Sequence, residues 1–268
     1  MRPSTRHHRL ALVVAAATAA GSAHAVDGVT LIDQGKAMAG NVTPGDAPGF
    51  PVTISRSGSY RLSGNLSVDD ATLHAVHITA DNVSLDLNGF TIRGPVTCSG
   101  ATPATITCAP ASGYGNGVYA SDRRSVVVRN GSVRGFHVGV RTSLAAGRIE
   151  SLDVSHTREL GIAAYGNDWL VAGNTVSMSG HGGITSAGLV RDNSVSMTRS
   201  AGIFLANGAL ATGNRVHRSG YGTGMSASSS SDRWSAAFNA ISGGSGTTLW
   251  NAYSLGGGNT NLCNGQPC

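Results

Sequence analysis

Lysine is nearly absent from this chain: Lys36 is the only one in 268 residues, and no run of basic residues is interleaved with aromatics. Nucleic acid is thereby excluded as an expected partner, because its recognition leaves a clustered basic footprint. Cysteine is scarce, with four residues, too few for a small disulfide scaffold, and their spacing suggests no zinc site. Helical periodicity is almost missing. The apolar run from Leu10 to Ala20 is too short to cross a bilayer core of roughly 30 Å, so no transmembrane segment is expected in the mature chain.

That run belongs to a leader. Arg2, Arg6 and Arg9 precede it and Ala23-His24-Ala25 follows, the pattern of a secretory signal over residues 1–25. The expected product is a soluble exported protein, periplasmic or secreted, beginning at Val26. Removing the leader takes three of nineteen basic residues and none of fourteen acidic ones, so sixteen face fourteen and the excess is two. An arginine-rich surface of this kind still suits acidic ligands. In an exported chain the cysteines gain meaning: Cys98 and Cys108 bracket one loop, Cys263 and Cys268 bracket the C-terminus. Three connectivities exist, and the two local pairings are favoured because each pins a segment the rest of the chain cannot hold.

What the chain has in abundance is one repeated phrase. Between Gly117 and Ile241 a unit recurs six times at a period close to twenty-two residues. It opens on Gly and an apolar residue: Gly117-Val118, Gly139-Val140, Gly161-Ile162, Gly183-Ile184, Gly202-Ile203 and Gly224-Met225. It closes on a phrase, opened by asparagine except for Leu152 in the second copy, that leads to Val133, Val154, Val176, Val195, Val216 or Ile241. Such a unit cannot bury its own apolar face and must stack on copies of itself. With short strands and turns of Gly, Asn and Ser, the solution is a right-handed spiral of parallel sheets, about eight coils spaced about 4.8 Å apart. The expected divisions are an N-terminal cap over 26–66, the spiral over 67–245 with an insertion near 95–113, and a degenerate last coil over 246–268. Asparagine at the turns is read as structural, since it tolerates left-handed backbone and its amide can bond to coils above and below.

Period-two alternation then sorts the outward residues. One closing-strand face carries Thr91 and Arg93, Ser132 and Arg134, Asp153 and Ser155, and Arg215 and His217. Its charged members Asp153, Arg134, Arg215 and His217 are the candidate catalytic group, although Asp153 and His217 lie three coils apart, roughly 14 Å, too far for direct proton exchange. A second outward row holds Tyr119, Arg141, Ala163, Thr185, Phe204 and Ser226. From these rows Arg93, Tyr119, Arg141 and Phe204 are candidate substrate contacts.

The phrases Gly45-Asp46-Ala47-Pro48-Gly49-Phe50-Pro51, Gly58-Ser59-Tyr60-Arg61-Leu62, Asp86-Leu87-Asn88-Gly89-Phe90-Thr91-Ile92 and Val128 to Phe136 resemble the right-handed parallel β-helix proteins of the pectin-lyase-like superfamily, closest to its exported bacterial members. That resemblance implies an all-β solenoid and a carbohydrate context, in a superfamily that mixes lyases, hydrolases, epimerases, adhesins and tailspikes. Gly180-His181-Gly182 looks like the histidine motif of polygalacturonases, yet Gly220-Tyr221-Gly222 repeats it, so the repeat accounts for it. The arginine-proline-arginine signature of pectate lyases and a cluster of calcium-binding aspartates are absent. Two functions therefore stand: an exported β-helix that binds acidic or neutral polysaccharide or a surface without catalysis, and, as the alternative, a lyase or epimerase of uronate-containing polysaccharide. No cofactor is expected under the first, and calcium enters only under the second.

Overall fold

The computed structural model describes residues 28–143, 146–206, 208–220, 225–227, 234–243, 252–254 and 261–268. The proposed leader, its cleavage point and Gly224 of the repeat lie outside these residues. The chain winds as the repeats demand, into stacked coils whose strands pair in parallel with their counterparts one coil away. One sheet has eight strands; the other has eighteen and bends at a corner in every coil, so each full coil presents three faces. The first face runs through Val52–Ile54, Val76–Ile78, Asn116–Ser121, Val138–Ser143, Leu160–Ala164, Gly182–Ser186, Ile203–Leu205 and Met225–Ala227.

The register stacks like on like. Val52, Val76, Val118, Val140, Ile162, Ile184, Ile203 and Met225 are successive partners on the first face. Leu85, Val128, Ile149, Val171, Val190, Ala211 and Ala236 follow one another on the middle face. Leu66, Ile92, Val133, Val154, Val176, Val195, Val216 and Ile241 do so on the closing face. These columns converge in one buried core. Burying each such side chain is worth about 1.5–3 kcal/mol before entropy is counted.

The core also explains the glycine of each phrase. A Cβ on Gly139 would strike Cγ1 of Val154 and lie 2.6 Å from the Gly161 carbonyl oxygen; on Gly183 it would strike Val195 and lie 2.5 Å from the Gly202 oxygen. The closing valine occupies the space a side chain would need. Asparagine plays a second part. Asn174, Asn193, Asn214, Asn239 and Asn261 are buried and form a ladder: the Oδ1 of each of the last four accepts from the backbone N–H and the amide of the asparagine one coil back, at 2.8–3.1 Å, and that of Asn174 accepts from the Leu152 N–H at 3.0 Å. The left-handed residue at this corner is the one before it: Gly173, Asp192, Gly213 or Phe238. Asn88 and Asn130 themselves adopt the left-handed turn, so the expected backbone role holds for them and not for the ladder.

Two features depart from the plain spiral. Thr30–Ile32 joins the middle face beside Gly58–Leu62, and a helix at Gln34–Ala39, capped by Asp33 accepting from the Lys36 N–H at 2.8 Å, turns Ala37 into the core. Thr97–Ser99 and Thr107–Ala109 form an antiparallel hairpin closed by the Cys98–Cys108 disulfide, and Cys263 is bonded to Cys268, both local pairings as expected. The hairpin folds back on the corner between the closing and first faces, where Val96, Cys98 and Ile106 pack with Met197 and Arg218 donates to the Ala101 carbonyl at 2.7 Å.

Candidate functional site

On the first face the pleat sends His77, Tyr119, Arg141, Ala163, Thr185, Phe204 and Ser226 outward in one row, each beside the next. Three of the residues singled out from sequence, Tyr119, Arg141 and Phe204, thus share one surface. Aromatic contacts order it. The Tyr119 ring lies 4.7 Å from that of His74 and 5.2 Å from that of His77, and Arg141 sits over the Tyr165 ring at 5.7 Å. Farther along, His181 and Phe204 stack at 5.4 Å with their planes 8° apart. A groove of about 320 Å³ opens among His74, Tyr114, Asn116, Tyr119, His137 and Arg141.

Along one edge of this face runs a second stack. His137, Glu159 and His181 stand two residues before three successive Gly-apolar pairs, and backbone bonds tie them coil to coil: Glu159 N–H to the His137 carbonyl at 2.9 Å, His181 N–H to that of Glu159 at 3.1 Å. The His137 ring is nearly buried. Its Nε2 lies 2.6 Å from a Glu159 carboxylate oxygen and its Nδ1 lies 2.8 Å from Nη2 of Arg158. A guanidinium can only donate, so Nδ1 accepts and the ring proton is on Nε2, donated to Glu159. Arg158 is held in turn by the Gly113 carbonyl and by the Tyr114 ring at 5.8 Å. The hairpin that delivers Gly113 and Tyr114 is thus what orients Arg158.

The hydrogen bond from His137 holds the Glu159 carboxyl below the usual carboxylate range, outweighing its partial burial, with His181 and Arg141 adding charge attraction. Burial lowers His74, with His77 and Arg141 adding repulsion, and burial likewise lowers His77 beside Arg123. A backbone N–H at Asn116 donates to Nδ1 of His74 at 3.0 Å, which the lone pair of an uncharged ring accepts. Burial raises the Tyr165 phenol. The surface therefore pairs an ionised carboxylate with a free-standing arginine amid rings, an arrangement able to hold a polyhydroxylated, negatively charged chain.

The remaining sequence candidates occupy the closing face. Thr91, Ser132, Asp153, Thr175, Ser194 and Arg215 form one outward row; Arg93, Arg134, Ser155, Ser177, Ser196 and His217 form the next. Asp153 and Arg215 are separated by two intervening coils, and His217 bonds Ser242 at 3.0 Å. Among the described residues no ion pair joins Arg134 to Asp153. Nor is any group of three or more His, Cys, Asp or Glu among the described residues arranged to hold a metal ion. His156, Met178 and Met197 share a left-handed backbone at the same corner, consistent with a turn position for His156.

Reading the sequence for outward strand positions alone misses His74, His137, Arg158 and Glu159, which precede the strands. The signal was present, because aligning the residue two places before each Gly-apolar pair gives Gly115, His137, Glu159, His181 and Ser200, a charged break in a polar column.

Residues 74–241, more than half the chain, match the family described as the right handed beta helix region, and the chain belongs to that family. The structure is similar to the enzymatically active domain of tailspike protein 2 of bacteriophage CBA120, with a TM-score of 0.60 at 16% identity. That likeness covers 79% of this chain and 37% of the tailspike domain, so this chain spans well under half of that domain's length. No curated protein matches the sequence.

Proposed function

We propose that this protein binds an acidic polysaccharide laid along the first face, with Arg141 pairing a sugar carboxylate and the rings of His77, Tyr119, Tyr165 and Phe204 receiving sugar faces. The observation that supports it is the in-register row itself. Tyr119 and Phe204 are four coils apart, roughly 19 Å at the strand spacing, so the row matches an extended chain better than a compact ligand. Arg141 has an aromatic neighbour and no carboxylate partner within ion-pair range among the described residues, which leaves its charge for a ligand.

A second reading, a lyase or epimerase of uronate, is favoured by Glu159. An ionised carboxylate fixed by His137 can act as the base that removes a proton beside a uronate carboxylate neutralised by Arg141. Among the described residues that line the groove there is no carboxylate, and Glu159 beside it bonds His137 rather than a second carboxylate, which speaks against paired-carboxylate hydrolysis. Purified protein run through gels containing pectate, alginate or a glycosaminoglycan, and assayed in parallel for unsaturated product by ultraviolet absorbance with and without calcium, separates the readings. Retardation without absorbance supports binding alone. Absorbance that disappears in Glu159→Gln, with retardation retained, supports the second reading. Neither signal on any polymer refutes both.

A further inference from the structure

We infer that the pocket between the disulfide hairpin and the closing face is an oxyanion site, in which Arg93 and Arg134 clamp a phosphate, sulfate or carboxylate group. This site lies off the first face, and the inference stands or falls without the reading given above.

Arg93 and Arg134 are direct partners on adjacent coils, both outward and exposed. Like charges facing each other across a strand pair are destabilising. Elsewhere the molecule solves the same problem with an acid: on the middle face Asp86 stands in register between Arg61 and Arg129, at 3.7 Å from one and 3.8 Å from the other. On the closing face nothing is interposed. Among the described residues neither Arg93 nor Arg134 has a carboxylate within ion-pair range; Asp69, which lines the same pocket, makes no such pair with them.

The surroundings complete a site. The pocket, about 450 Å³, is lined by both arginines together with Ser67, Thr97 and His156. The His156 Nδ1 is buried and makes no hydrogen bond within the protein. Its volume falls in the range of small-molecule sites, so it accommodates a sugar-sized molecule carrying the anionic group. Two guanidinium forks meeting an oxyanion would replace the mutual repulsion by charge-assisted bonds.

Titration calorimetry at constant ionic strength tests this, using inorganic phosphate, inorganic sulfate and glucuronate as probes, with glucose as the neutral control. At least one anionic probe should bind saturably, which also says whether a tetrahedral or a planar oxyanion is preferred. Arg93→Gln or Arg134→Gln should each weaken that binding about tenfold or more, the effect of losing a hydrogen bond to a charged group. Arg148→Gln, an exposed arginine on the middle face, should leave it unchanged. The preferred anion should raise the melting temperature of the parent and not that of the folded double variant. No saturable heat with any of the three anions, or equal affinity in the double variant, overturns the inference.

Discussion

Asn193 shows how one residue can be both repetitive and irreplaceable. Its Nδ2 donates to the Val171 carbonyl and to Asn214, and its Oδ1 receives both donors of Asn174, all in the dry interior. Asn193→Leu strands those donors, and at about 1–3 kcal/mol for each buried group left unsatisfied the loss should reach about 3 kcal/mol or more in urea denaturation. A loss under about 1 kcal/mol would show the ladder to be ornamental. The ladder was half legible from sequence. Asn130 stands three residues before its valine and Asn174 only two, and that one-residue slip separates a left-handed turn residue from a buried ladder member. Titration also acts at this scale. His74 and His77 have folded-state pKa values below the ordinary value of about 6.5, so as pH falls the unfolded chain takes up protons first. Stability should therefore decline as pH drops through about 6.5 and level off below the folded values, with a shallower decline in His74→Gln; Glu159 adds a separate loss below the usual carboxylate range.

At the scale of elements, the strand columns were readable because a period of two and a fixed coil length leave no freedom in which residues face inward. Ile184, buried between Ile162 and Ile203, tests this: Ile184→Asp should abolish cooperative folding, and a variant melting at the parental temperature in circular dichroism would refute the column. The hairpin could not be read that way. The cysteine pair announced an insertion, yet where it lands depends on contacts with Thr157, Met197 and Arg218 far along the chain. Hence Arg158, and through it the orientation of His137, was hidden. Opening the loop with Cys98→Ser and Cys108→Ser should cost about 2–3 kcal/mol by loop entropy for a separation of 10 residues. Because the hairpin leads into Gly113 and Tyr114, the same variant should weaken first-face binding, whereas Cys263→Ser with Cys268→Ser should not.

The described coils stack as a solenoid whose candidate residues are distributed over its faces. Its last described strands, Leu262–Cys263 and the antiparallel Gln266–Pro267, cover a sheet edge that would otherwise invite another chain. Family membership explains the spiral but assigns no ligand, because a fold is set by its inward residues and a function by the site grafted on it. On the first face rings and an arginine fall in one row, with a glutamate in the stack along its edge. The most direct test is affinity electrophoresis of the parent, Arg141→Gln and Tyr119→Ala in polygalacturonate, repeated in its methyl-esterified form and at raised salt. Retardation of the parent should fade with salt and esterification, be largely lost in Arg141→Gln and be weakened in Tyr119→Ala. Equal retardation of the parent and Arg141→Gln in the acidic polymer would contradict the proposed binding.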